Sequence, residues 1–197
     1  MNRALTSLCL LAGLLGAAPV LADEPKGALR LAAAWVGIDG SGAIDDIDEN
    51  GLADEVSFDD AVGLVLEYEY RYGKLLGLQL GTLHCSPDYT VTSDGGQEIE
   101  GDSRTFTQPH LALNFHVFGG SRVDLYVGPH LAYTFFENLE DQFGYGAQVG
   151  ADIGLTQGGL FLNLGARYTF TDAQDDDIGL DTGFDPLTLQ VGIGLRW

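Results

Sequence analysis

The chain has 197 residues, with 29 Asp and Glu against nine Lys and Arg and a formal net charge of −20 at pH 7. Its length fits one domain, large enough for a packed core or a closed barrel. The acidic balance excludes nucleic acid and other polyanions as partners and favours cations or neutral molecules, with solubility or adaptation to salt as the plainer reason for it.

The first element is a leader. Arg3 opens a short positive region, Leu5 to Val20 is apolar, and Val20-Leu21-Ala22 supplies small residues ahead of Asp23. Residues 1–22 are therefore expected to be a cleaved signal peptide, and residues 23–197 an exported domain; the apolar run is too short for a membrane anchor. Cys9 falls inside the signal, which leaves Cys85 alone and excludes a disulfide framework.

Beyond the leader no long amphipathic helix is legible. Eight stretches with a period of two follow one another instead: 28–38, 61–72, 74–85, 104–118, 121–136, 143–156, 158–171 and 186–197. Tight turns are expected at Tyr72-Gly73-Lys74, Gly119-Gly120-Ser121 and Gln157-Gly158-Gly159. The four other connections are long or acidic, and 39–60, 86–103, 137–142 and 172–185 hold 23 of the 29 acids. Short and long connections thus sit at opposite ends of one sheet.

Each stretch has an apolar and a polar face. In 143–156, Tyr145, Ala147, Val149, Ala151, Ile153 and Leu155 oppose Gly146, Gln148, Gly150, Asp152 and Gly154; the last stretch sets Leu187, Leu189, Val191, Ile193, Leu195 and Trp197 against Thr188, Gln190, Gly192, Gly194 and Arg196. A soluble sandwich or lipocalin would turn the apolar face inward. Three features invert that assignment. Aromatics gather at strand ends (Tyr70, Tyr72, Phe115, Phe118, Tyr133, Phe135, Tyr168, Phe170), the polar faces mix both charges with glycine, and the connections alternate in length. The expected fold is all-β: an eight-stranded antiparallel up-and-down transmembrane β-barrel in the bacterial outer membrane, reached after export through the inner membrane. Its immediate partners are outer-membrane lipid and the barrel assembly machinery, which reads an aromatic at the end of the last strand; Trp197 stands in that place.

From Pro109 onward, LALNFHVF, VDLYVGPHLAYTFF, YGAQVGADIGL, GLFLNLGARYTFTDA and the strand after Asp185-Pro186 resemble the outer membrane protein W (OmpW) family of small barrels. The resemblance implies an eight-stranded barrel with a narrow, partly apolar lumen that passes small, often hydrophobic molecules, with release through a lateral opening. The connection between Phe136 and Phe143 is far shorter here than the long insertion of typical members, so functions resting on that insertion are not expected.

Three groups carry candidate chemistry. In DIDENG, Asp46, Asp48 and Asn50 take the first, third and fifth positions of a calcium loop and Gly51 the sixth, but Ser57 stands at the twelfth; a calcium site competes with an ordinary acidic loop. QPHLALNF and GPHLAYTF, joined by a tight turn, place His110 near His130 and His116 near Asp124 on the lumen face, as a metal or pH-sensitive cluster or as hydrogen-bonded filling. Pro109 and Pro129 suggest bulges there. Arg30, Arg71, Arg167 and Arg196 are expected to pair with Glu67, Glu69, Asp124 and Asp152 across neighbouring strands, as a structural plug or a gated polar path. Catalytic motifs are missing from the sequence, and His84, Cys85 and Ser86 lie in a row that throws neighbours to opposite faces. No His and Ser are expected on the lipid face with a carboxylate behind them. Beyond a possible calcium ion, no cofactor is implied. The expected activity is a narrow passive channel for small hydrophobic or cationic solutes; the alternative is a non-conducting envelope-stress or interaction barrel whose acidic loops bind cations or partners.

Overall fold

The computed structural model describes residues 26–39, 41–44, 54–92, 98–100, 104–118, 122–137, 140–157, 159–175 and 180–197. The expected signal 1–22 and the calcium candidates Asp46, Asp48 and Asn50 lie outside the described residues.

Fourteen strands occur among the described residues: β1 (Lys26–Asp39), β2 (Ser41–Ile44), β3 (Asp54–Phe58), β4 (Ala61–Tyr72), β5 (Leu76–Cys85), β6 (Tyr89–Thr92), β7 (Glu98–Glu100), β8 (Phe106–His116), β9 (Val123–Phe136), β10 (Gln142–Gly154), β11 (Leu160–Phe170), β12 (Asp172–Asp175), β13 (Leu180–Gly183) and β14 (Asp185–Arg196). Eight of them close an antiparallel barrel in the order β1-β14-β11-β10-β9-β8-β5-β4. Their bounds follow the eight sequence stretches to within a few residues, because alternation is the only pattern that satisfies two differing faces. Closure runs from Ala28↔Arg196 to Asp39↔Asp185, and Gly27 and Trp197 exchange backbone hydrogen bonds of 3.0 Å in each direction.

The acidic connections are not plain loops. β2, β3, β6 and β7 form a four-stranded sheet beyond the barrel rim, β12 and β13 form a hairpin, and β13 lies against β2. At the other end Gly73 (φ 67°) and Gly159 (φ 89°) make the tight turns that a Cβ would strain.

Burial alternates along the wall with the apolar side outside. In β9, Val123, Leu125, Val127, Leu131 and Tyr133 are exposed while Asp124, Tyr126, His130 and Thr134 are buried. A water-soluble fold would lose by exposing this belt, so the exposed face is the one that meets hydrocarbon. Aromatic pairs border it. Tyr70–Tyr72 (4.8 Å between centroids) and Tyr68–Trp197 (6.3 Å) lie toward the short turns, and Tyr133–Phe135 (5.0 Å) and Tyr145–Phe170 (5.5 Å) toward the long connections.

The expected bulges at Pro109 and Pro129 do not form. Phe106↔Phe136 and His116↔Tyr126 belong to one unbroken register, so no residue is inserted. Instead the β8–β9 ladder skips the steps that contain Pro109 and Pro129, as a residue without an N–H requires.

Candidate functional site

The lumen has two storeys. The lower one, toward the short turns, is a buried ion network. Arg30, fully buried, donates through Nε and Nη2 to Asp152 (3.1 and 2.8 Å) and through Nη2 to Glu69 (3.2 Å). Arg71 donates to Glu69 Oε1 (2.6 Å), Asp152 Oδ2 (3.1 Å) and the Asp124 carboxylate. Arg167 donates to Glu67 Oε1 (2.5 Å) and Gln148 Oε1 (3.2 Å). Arg196, nearer the short turns, stands 3.9 Å from Asp124.

Neighbouring strands supply few of these pairs. Arg30–Asp152 joins β1 to β10, Arg71–Asp124 joins β4 to β9, and Arg167–Glu67 joins β11 to β4, all three strand positions apart around the barrel. Register alone suggested pairing along the wall, but long side chains in a narrow barrel reach across it. Amides fill the rest: Asn114 donates to Glu69 (2.8 Å) and Gln79 (2.6 Å), Asn163 to Asp152 (2.9 Å), and Gln148 to Asn114 (2.7 Å). Inward glycines make room. A Cβ on Gly81 would collide with His110 and Glu67, and one on Gly150 with the Tyr126 ring.

All the histidines on the expected lumen face are inside. His116 Nδ1 lies 3.2 Å from Asp124 and its Nε2 3.0 Å from Glu69. His110 and His130 stand 6.5 Å apart by ring centroid and turn to different partners, His110 to Arg167 (3.1 Å) and His130 to Thr169 (3.0 Å). The two rings therefore do not converge on a common point, and no group of three metal-binding side chains occurs among the described residues.

The upper storey is apolar. Val36, Ile38, Val65, Leu83, Cys85, Phe106 and Phe184 pack with Val56 and Phe58 of the outer sheet, and Phe136 joins them. The sequence reading passed over this cluster. Its signal was the inward phase of the outer strand ends, where Val36, Val65, Leu83 and Cys85 replace the polar residues found deeper in the same strands.

His84 and Ser86, two residues apart, are both exposed on the same side. They do not form a nucleophile and base: His84 Nδ1 lies 3.0 Å from Thr107 Oγ1, and Ser86 Oγ 2.9 Å from Thr105 Oγ1.

Together the storeys leave no open axial path through the described wall and lumen, since the inward side chains from Arg30 to Phe184 are buried against one another. The ladder of the wall is interrupted at the β8–β9 seam. Gln108 Nε2 donates to Thr134 Oγ1 (3.0 Å) across it from inside, beside the skipped step at Pro109 and just below Phe106 and Phe136.

A family model described as "Outer membrane protein beta-barrel domain" matches residues 7–196. Among solved structures, the outer membrane protein OprG from Pseudomonas aeruginosa aligns with a TM-score of 0.73 at 20% identity, covering 88% of this chain and 96% of that one. AlkL, determined in lipid bilayers, aligns at 0.55 and 16% identity over 91% and 94% of the two chains. Escherichia coli outer membrane protein W aligns at 0.52 and 18% identity over 90% and 100%. No curated protein matches the chain.

Proposed function

The chain belongs to the outer membrane protein β-barrel domain family and resides in the bacterial outer membrane, and from that premise we propose that it is a passive conduit for small apolar solutes whose route turns sideways. A solute enters the apolar upper storey from outside and leaves into the membrane through the β8–β9 seam. The carrying observation is the juxtaposition of that storey, closed below by the ion network, with the interrupted ladder at Pro109. An uncharged solute loses little in an apolar chamber, whereas an ion would shed its hydration for no partner there. The same reading assigns the chain to the OmpW group, takes residues 1–22 as its export signal and takes Trp197 as the strand-end aromatic used in assembly. It assigns no catalysis.

Uptake of indole, small and fluorescent, into vesicles with a lipopolysaccharide outer leaflet tests the route. A seam that opens by local separation is tightened when its missing donor is restored, so Pro109→Ala is expected to slow uptake by about tenfold. Unchanged uptake in a folded Pro109→Ala barrel overturns the lateral route.

A further inference from the structure

Among the described residues, Phe184 sits at the centre of the apolar packing in the outer mouth. Phe184 is fully buried and meets three rings edge-on: Phe58 at 5.1 Å and 87°, Phe106 at 5.3 Å and 86°, and Phe136 at 5.0 Å and 83°. Phe58 belongs to the outer sheet, Phe106 and Phe136 to the two strands of the interrupted seam, so the Phe184 ring occupies the point where mouth, apolar cluster and seam meet.

The backbone that carries Phe184 is held by β1 as far as Asp39↔Asp185, and its pairing is interrupted on the other side. Tyr168↔Leu187 ends the β11–β14 ladder and Asp172↔Gly183 begins the β12–β13 ladder, in the same register, with no ladder pair between them. Pro186 lies in that gap and has no N–H to give. The hydrogen bonds that span it include Phe184 N–H to Thr171 O (2.8 Å), Thr171 N–H to Asp185 Oδ1 (3.1 Å) and Tyr168 O–H to Asp185 Oδ2 (3.3 Å). The Asp185 carboxylate therefore stands in for missing ladder bonds. Gly183 next to it faces open space on its Cβ side.

We propose that the seat of the Phe184 ring is a solute-binding site for one uncharged aromatic ring or short alkyl group, vacated when the β12–β13 hairpin swings about the end of the β1–β14 ladder, where the Asp185 carboxylate bridges the gap between β11 and β12. The inference rests on the conduit reading and adds to it the site, the ligand class and the size limit. The ring is the measure of the ligand. What replaces it meets phenylalanine edges on three sides and the apolar cluster containing Leu83 and Cys85, and a charged group finds no partner there.

Cys85 is a native reporter in that cluster, buried and unpaired. The test is its rate of reaction with methyl methanethiosulfonate, small and uncharged, in the full barrel refolded in phospholipid nanodiscs. Phe184→Ala empties the seat and is expected to raise the rate by about tenfold, and benzene to lower it again, as it fills engineered apolar cavities of ring size. Asp185→Ala leaves the ring in place and removes the latch; it is expected to raise the rate as well, and it serves if Phe184→Ala does not fold. A sulfonated reagent of the same chemistry should stay slow in every variant. Wild-type rates in both variants, no effect of benzene on Phe184→Ala, or equal rates for the charged reagent overturn the proposal. The assay involves no flux, so a benzene-binding seat in a barrel that fails the indole test would sink the conduit reading alone.

Discussion

Arg30 shows why single residues matter so much inside this wall. It is fully buried, binds two carboxylates from opposite sides of the barrel and is stacked between Tyr126 (5.1 Å) and Phe161 (5.7 Å). A buried charge repays its desolvation only through such partners, and removing one partner strands the others. Arg30→Ala leaves Glu69 and Asp152 short of a cation and is expected to lower unfolding stability by about 3–5 kcal/mol, whereas Lys74→Ala in an exposed turn should change it by less than about 0.5 kcal/mol. Urea unfolding in lipid measures both, and a loss under about 1 kcal/mol for Arg30→Ala would contradict a stabilising network. The sequence identified these residues and their face, because alternation fixes parity. It did not identify their partners, because reach across a barrel depends on closure and tilt, which pairing of neighbours does not express.

At the scale of elements, eight strands and their outward faces were legible because each element carries the period of two over ten or more residues. The extra strands β2, β3, β6, β7, β12 and β13 were not: each is three to five residues long and sits among acids and glycines, where no hydrophobic alternation marks a strand. The prolines were read as bulges, although a proline whose missing donor faces a seam leaves a gap in the ladder with the register intact. The outward assignment makes a direct prediction. Val149 is 54% exposed in the middle of β10 and pairs with Val127 and Ala166. Val149→Arg should cost about 2–4 kcal/mol in a bilayer, by placing a cation in hydrocarbon. On a water-facing wall the same change would be close to neutral, so a refolding equilibrium in liposomes separates the two.

At the scale of the whole molecule, charge is sorted along the barrel axis. The long connections hold most of the acids, the short turns carry Lys74 and Arg122 without an acid, and between them lies a lumen where four arginines face four carboxylates. An acidic outer face keeps anions away from the mouth. Behind it, the phenylalanine cluster and the ion network close the axis in series, and in the proposed conduit the interrupted β8–β9 ladder is the way out. The sequence alone left axial and lateral paths both open, since it showed a polar lumen face and could not show how fully eight strands' worth of side chains would fill it.

Closure of the axis is tested most directly by planar-bilayer conductance of the refolded barrel in potassium chloride. A lumen sealed by the Glu67–Arg167 and Arg30–Asp152 pairs predicts a folded, inserted protein that gives no discrete current steps. Steady cation-selective steps from the wild-type barrel, altered by Arg167→Ala, would instead show a water path through the network and contradict the sideways route.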